Sequence, residues 1–533
     1  MFGLEKIVKK VEIPPAEIDA DLAVPIFGNP ALKEDLLKKI KDLNNPLFSE
    51  IKIVSNYINI KLDIEKLAPI TLESVLGGGD DYGFNDDGAA QTILIEYSSP
   101  NIAKPMHIGH LRNTAIGHAL TKIYQANGYK VITANYIGDW GMPYAKVILA
   151  YQKWGDDQEF AKRPVLYLAE LYTRITEEAA ANPQLDEEAR AIFKKMEDGD
   201  KELLSLWEKF RNVSIRYFQE IYKILGVDFD LWQGESFYQK FVEETIKEAL
   251  DKAIARKESD GPIVVNLDQF KLPSFLLAKS DGASLYGARD LAAAKWRLKN
   301  YHPEKIIHVV GHEQELYFKQ IFATLGLMGY PQERFSQVSY GLVTMDGKKL
   351  STRAGHVVYL EDLLEETIKE AKGIKEVGIG AVIYSMLSQG KEKDVSFSWE
   401  NTLNIHGNSA PYIQYGYVRA KSVLEKSPTS SQDVKSIFTS CDDVNIGKTE
   451  AKLIKQMAFY PETVRQAKEL NAPHIITNFL QNFVQEFNRF YAESPILNTE
   501  ANVKDFRLAL TAASAQVIKN GLALLNIKTP NRM

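Results

Sequence analysis

Apolar positions along the chain fall into three regimes. Residues 51–60 alternate apolar and polar side chains with period two, from Ile51 through Ile53 and Ile58 to Ile60, and predict a hairpin or a pair of strands. Thr92-Ile93-Leu94-Ile95-Glu96-Tyr97 is a short continuous apolar run of the kind a strand buried on both faces carries. A helical stretch follows from about 109 to 126, closed by Asn127-Gly128, where glycine can take the left-handed conformation. Residues 130–137 then read as a second strand. Strand, helix and strand at this spacing predict a βαβ unit, and hence a parallel sheet, with 262–266 and 305–311 as later strands. Between them a charged helical insertion spans about 150–255. From about 401 the pattern is helical: Ile475, Ile476, Phe479, Leu480, Phe483, Val484, Phe487 and Tyr491 form one wide stripe, with Pro473 in the first turn.

Three blocks are therefore expected, 1–90, 91–400 and 401–533. The first ends in residues 76–88, so rich in glycine and aspartate that they cannot pack a core and read as a linker or mobile loop.

Composition narrows the class. At 533 residues, 45% hydrophobic and 25% charged, the chain matches a soluble multidomain protein. No apolar run is long enough for a membrane span, and the opening MFGLEKIVKKVEIPP lacks a secretory core, so a cytoplasmic protein without membrane contact is expected. The single cysteine, Cys441, excludes an internal disulfide and a cysteine-rich zinc site. A net charge of −6 means that any polyanion must be met by local Lys/Arg stripes.

The candidate chemistry begins at His107-Ile108-Gly109-His110, where the first strand gives way to the first helix. Unpaired N–H groups and the positive end of the helix dipole suit phosphate there, beyond the carboxyl end of a parallel strand. Pro100 and Pro105 stiffen the turn, Gly109 is expected to let a nucleotide approach the backbone, and both histidines can donate to phosphate oxygens. Glu96 is a charge inside an apolar strand, costly without a partner. Tyr286 and Asp290 are four apart and share one face if their segment is helical.

The stretch SSPNIAKPMHIGHLRNTAIGHAL, followed by Tyr136-Ile137-Gly138-Asp139-Trp140-Gly141, resembles the HIGH region of class I aminoacyl-tRNA synthetases and specifically the arginyl-tRNA synthetase family. Lys349-Leu350-Ser351-Thr352-Arg353, between Gly347 and Gly355, is similar to the family's KMSKS loop. It departs at Thr352, where the motif has its second lysine. Lys104, three residues before His107, is expected to supply the missing cation and to clamp the triphosphate with Lys349.

The resemblance covers essentially the whole chain. It implies an α/β fold: a Rossmann-type parallel-sheet catalytic domain, a small N-terminal α/β domain touching the tRNA elbow, and an all-α C-terminal anticodon-binding bundle. It implies that L-arginine is activated with ATP, carried with Mg2+, and passed to the 2′-hydroxyl of the terminal adenosine of tRNA(Arg), by a monomer that needs tRNA for activation itself. His107, Gly109, His110, His312, Lys349 and Ser351 are then implied to bind ATP. Glu96, Asn101, Tyr286, Asp290 and Gln314 are implied to bind arginine. Asn59, Tyr412, Tyr415, Tyr417, Arg419, Phe490, Tyr491 and Met533 are candidates to face RNA, since unstacked bases bind on aromatic rings beside Arg or Lys. Phe483 and Phe487 are assigned to packing.

Two other readings stay open at this point. A different nucleotidyl transferase could share the HxGH turn, although the helical third block and the Gly138–Gly141 motif count against it. A non-catalytic RNA-binding relative could share the fold, although intact His107, His110 and Lys349 count against that.

Overall fold

The computed structural model describes residues 4, 11–14, 17–26, 30–259, 261–279, 286–345, 348–349, 358–427 and 444–533. The period-two segment forms a hairpin, completing a sheet in the order β1-β3-β2 with β1 (Leu22–Pro25), β2 (Phe48–Val54) and β3 (Tyr57–Leu62), all antiparallel. Helices α1 (Pro30–Asp42) and α2 (Ile64–Gly78) accompany it. As the middle strand, β3 leaves Asn59 only 6% exposed, so this asparagine is a packing residue and not the RNA contact expected of it.

Residues 76–88 are not a free linker. α2 runs into them as far as Gly78, and their polar groups dock on the last block. Asp80 pairs with Lys519 at 2.7 Å, and Asp87 with Arg465 at 2.8 Å. Asn520 donates to the carbonyls of Gly79 and Tyr82, and the Tyr82 hydroxyl to that of Met457. A segment too poor in apolar groups to make a core has bound by carboxylates and carbonyls instead.

The βαβ unit is β4 (Thr92–Glu96), α3 (Ile108–Ala126) and β5 (Lys130–Ala134). The insertion follows as α4 (Met142–Trp154), α5 (Asp157–Lys162), α6 (Pro164–Ala181), α7 (Gln184–Glu197), α8 (Lys201–Leu225), α9 (Glu235–Tyr238) and α10 (Val242–Asp251). Next come β6 (Ala255–Lys257), β7 (Ile263–Val265) and β8 (Phe275–Ala278), an antiparallel sheet of their own. The strand expected at 262–266 therefore lies outside the parallel sheet. The links to its neighbours hold no crossover helix, and parallel pairing needs one. The chain returns through α11 (Tyr286–Tyr301), β9 (Lys305–Gly311), α12 (Glu315–Leu327) and β10 (Phe335–Tyr340).

The parallel sheet has the order β10-β9-β4-β5. Ile93 and Ile95 pack on the α3 side, whereas Leu94 packs on the α11 and α12 side, toward which Glu96 also points. β4 is where the order reverses: β5 lies on one flank, and β9 and β10 on the other. Ligands bind at such a switch point, outside the carboxyl ends of the strands.

A small mixed sheet follows, from β11 (Val343–Met345), β12 (Lys348–Lys349) and β13 (Val395–Phe397), with α13 (Leu360–Glu370), α14 (Lys375–Leu387) and α15 (Trp399–Thr402) around it. The last block is helical among the described residues: α16 (Ala410–Lys426), α17 (Lys448–Glu469), α18 (His474–Glu493) and α19 (Ala501–Leu524). Pro473 sits at the N-cap of α18, just ahead of its first turn. Ile476, Leu480, Phe483, Val484 and Phe487 are fully buried, as the stripe required. Among the described residues no helix is long and apolar enough to cross a membrane.

Candidate active site

The link from β4 to α3 carries three non-glycine residues at positive φ: Ser98 at +70°, Ser99 at +49° and Ala103 at +57°. Each costs about 1–2 kcal/mol, and such strain survives only where the surroundings over-determine it. Here the N–H of Ser98 donates to Asn113, that of Ser99 to Asn135, and that of Ile102 to the Gly138 carbonyl.

The loop delivers His107 as the N-cap of α3. Its Nδ1 accepts from the Gly109 N–H at 3.1 Å, while His110 Nδ1 accepts from the His107 N–H at 3.1 Å. A neutral imidazole that accepts at Nδ1 carries its proton on Nε2, so this reciprocal cap assigns both rings as Nε2–H donors. Burial first, and the charge of Lys104 second, lower the pKa of His107. Burial, His107 and Lys104 push His110 down to about 3, so it is neutral at physiological pH. Capping and phosphate donation are thus one geometry. A Cβ on residue 109 would lie 2.9 Å from the His107 ring, so the glycine makes room for that ring.

The second motif meets this helix at both its described ends. On the entry side Arg112, fully buried on α3, donates to the carbonyls of Gly341, Leu342, Lys391 and Lys393 at 2.6–3.2 Å. On the exit side Tyr359 pairs with His107, and the Leu360 N–H donates to the Met106 carbonyl. Lys349 belongs to β12, opposite Thr344. Ser351, Thr352 and Arg353 lie outside the described residues. Lys104 is half-buried with its Nζ 4.7 Å from the centre of the Tyr172 ring, and no carboxylate pairs with it among the described residues. His312 and Gln314 are exposed just past the carboxyl end of β9.

At the switch point a small pocket is lined by Glu96, Tyr136, Tyr286, Asp290, Arg297 and His308. Glu96 has its partners already: Arg297 on one oxygen and His308 Nδ1 on the other at 2.9 Å. Burial alone would raise its pKa, but these two neighbours hold it at about 2. Asp290 is different. Its Oδ2 accepts from the Tyr317 hydroxyl, while burial outweighs that hydrogen bond and pushes its pKa to about 6. Tyr286 is 43% exposed, at the mouth, with its ring 5.7 Å from that of Tyr317. Asn101 is exposed, and its Oδ1 accepts from the Tyr144 hydroxyl at 3.2 Å.

Arg297, His308 and Glu235 escaped the sequence reading. Arg297 fixes Glu96 from 201 residues away. Glu235, 6% exposed, lies 3.1 Å from Arg289, and its burial pushes it up to about 8. No local pattern marks any of the three. Arg297 reaches Glu96 because α11 packs over β4, and Glu235 reaches Arg289 because the insertion packs against α11.

On the last block three of the aromatic and basic candidates meet. The Arg419 guanidinium is sandwiched 4.7 Å from the Tyr415 ring and 4.8 Å from the Tyr491 ring, both rings being about 40% exposed. Arg419 also donates to Asn488 at 2.6 Å, and Asn488 to the Tyr412 hydroxyl at 3.1 Å. Met533 is 39% exposed on the tail, which Lys421 ties down through Asn531. Phe490, one residue before Tyr491, is fully buried and is a core residue, not the RNA contact expected of it.

Two family models match the chain: "tRNA synthetases class I (R), catalytic domain" over residues 71–399, and "DALR anticodon binding domain" over 413–533. Arginine–tRNA ligase of Clostridium perfringens is 38% identical over 99% of this chain and 97% of that protein. The enzyme of the same description from Halothermothrix orenii is 39% identical over 100% and 97%. The solved structure of Thermus thermophilus arginyl-tRNA synthetase superposes with a TM-score of 0.78 at 23% identity, covering 100% of this chain and 98% of that one, which is a likeness of fold.

Proposed function

The chain belongs to the arginyl family of class I aminoacyl-tRNA synthetases, and on that premise we propose how its residues divide the work. The reaction itself is that of an arginine–tRNA ligase. L-Arginine and ATP give arginyl-adenylate and pyrophosphate, and the arginyl group passes to the terminal adenosine of tRNA(Arg).

One observation carries the assignment of the phosphate site: two neutral imidazoles, tautomers set by their own cap, stand at the N-terminus of α3 beyond the carboxyl end of β4. The carboxylate of arginine attacks the α-phosphate, and His107 and His110 donate from Nε2 to oxygens that gain charge in the transition state. Lys104 and Lys349 hold the triphosphate from opposite sides, with His312 and Ser351 completing the ATP contacts. Catalysis is positioning plus charge stabilisation, with no covalent enzyme intermediate. Mg2+ arrives on the nucleotide; among the described residues no group of three or more His, Cys, Asp or Glu side chains converges as a metal site. In a pyrophosphate-exchange assay with tRNA present, Lys104→Ala should lower turnover about 10²-fold, as for loss of one transition-state charge donor. Unchanged turnover would sink the clamp.

Asp290 takes the guanidinium, with Tyr286 stacked at its edge and Glu235 as a second carboxylate. Asn101 and Gln314 meet the α-amino and carboxylate ends. Glu96 acts at one remove, because Arg297 and His308 already occupy its oxygens.

Residues 1–90 serve the tRNA elbow, 91–400 the chemistry and 401–533 the anticodon, in a cytoplasmic monomer whose activation step needs tRNA. Tyr412, Tyr415, Arg419, Tyr491 and Met533 form the anticodon face. Stacking on such a platform contributes about 1–3 kcal/mol per base. Arg419→Ala should therefore raise the KM for tRNA about tenfold while leaving kcat at saturating tRNA within twofold. An unchanged KM for tRNA would move the anticodon elsewhere.

A further inference from the structure

α8 belongs to the insertion by sequence, yet one face of it is turned toward the strained loop ahead of His107. Trp207 Nε1 donates to the Asp139 carbonyl at 2.7 Å, and Arg211 Nε to the Asp139 carboxylate at 2.7 Å. Ser214, Phe218, Tyr222 and Leu225 continue the face at the three- and four-residue spacing of a helix. At its end the Leu225 carbonyl accepts from Asn526 of the last block at 2.9 Å.

Ser214 is fully buried. Its hydroxyl donates to the Phe210 carbonyl at 2.8 Å and accepts the N–H of Ala103 at 3.0 Å. The Tyr222 hydroxyl lies 2.6 Å from Ser98 Oγ and accepts from Asn135 at 3.2 Å. Ser98 Oγ lies 2.8 Å from Thr114 Oγ1, and Thr114 donates to the His110 carbonyl at 2.7 Å. Two of the three left-handed residues, Ser98 and Ala103, are thus gripped by α8, and a continuous chain of hydroxyls runs from that helix to the backbone of His110. The loop's own sequence does not favour this course, because glycine would be the residue free of cost at positive φ.

We propose that Ser214 and Tyr222 are positioning residues for arginine activation. They hold residues 98–104 in their left-handed course and so fix Asn101, Lys104 and the His107 cap at one spacing. The proposal rests on the roles given above to Asn101 and Lys104. α8 is then part of the frame of the active site, and its fixed course places the two ends of arginine activation, amino acid and triphosphate, against each other.

The test uses Ser214→Ala and Tyr222→Phe in the full chain. Steady-state arginylation and thermal melting are measured beside Lys104→Ala. Each α8 variant should lower kcat/KM for arginine and for ATP about tenfold, with the KM for tRNA unchanged. Two results overturn the positioning role. One is kinetic constants within twofold of the parent in both variants. The other is a KM for tRNA that worsens in step with the melting temperature, the mark of a merely structural part. In the first of these cases an impaired Lys104→Ala leaves the reading of Lys104 standing. A silent Lys104→Ala beside impaired α8 variants overturns that reading and leaves the positioning standing, through Asn101 and His110.

Discussion

Replacing His110 with alanine should slow formation of arginyl-adenylate by about 10²–10³-fold, the loss seen when one preorganised donor to a developing oxyanion is removed. The difficulty is that His110 also closes the cap of α3, its Nδ1 accepting from the His107 N–H. Loss of a cap alone costs about 1 kcal/mol of stability, and a shifted helix start would slow the reaction without any donor role. His110→Asn separates the two effects. Its side-chain oxygen can still accept from the His107 N–H, but its amide does not reach where the imidazole Nε2–H reaches. Single-turnover kinetics and melting curves should therefore show Asn near the parent in stability and near Ala in rate. Recovery of the rate by Asn would reduce His110 to a capping residue. Because burial and its neighbours push His110 down to about 3, its protonation should leave no inflection in the rate between pH 6 and 8.

How much of this site could be read from the chain depended on how local its determinants are. β4, α3 and the turn at His107 were legible because period, turn residues and motif lie within some thirty neighbouring residues, whereas the reciprocal cap of the two histidines was not. Asp290 and Tyr286 were legible as one helix face, and α11 does begin at Tyr286. The partners of Glu96 were not, since its need for a counter-charge is local but Arg297 and His308 come from α11 and β9. The docking of residues 76–88 was hidden for the same reason: Lys519 and Asn520 lie more than 430 positions away. Periodicity also names a face without saying what covers it. Phe490 and Tyr491 are adjacent on α18, yet one is fully buried and the other 42% exposed, and Asn59 lies in an alternating strand yet is only 6% exposed.

Asp290→Ala should weaken arginine about 10²–10³-fold while changing ATP affinity less than threefold, since a desolvated charge pair cut at one partner costs about 2–5 kcal/mol. The pH dependence makes the assignment sharper. Burial raises the carboxyl of Asp290 to about 6, against the pull of the Tyr317 and Tyr136 hydroxyls. In the free protein this raised group binds its proton more tightly folded than unfolded, so its contribution to stability falls as pH rises from about 4 through 6. Arginine needs the carboxylate, so its binding below pH 6 releases a proton, and affinity should rise about tenfold per pH unit up to 6 and more gently from there to 8, as Glu235 ionises. The rise in melting temperature that arginine produces should accordingly be small at pH 5 and large at pH 7.5. In Asp290→Asn this step should vanish. A residual rise between pH 6 and 8 in that variant would belong to Glu235, whose carboxyl burial raises to about 8. Calorimetric arginine affinity that stays flat from pH 5 to 7.5 in the parent, or an equal loss of arginine and ATP in Asp290→Ala, would remove Asp290 from the guanidinium site.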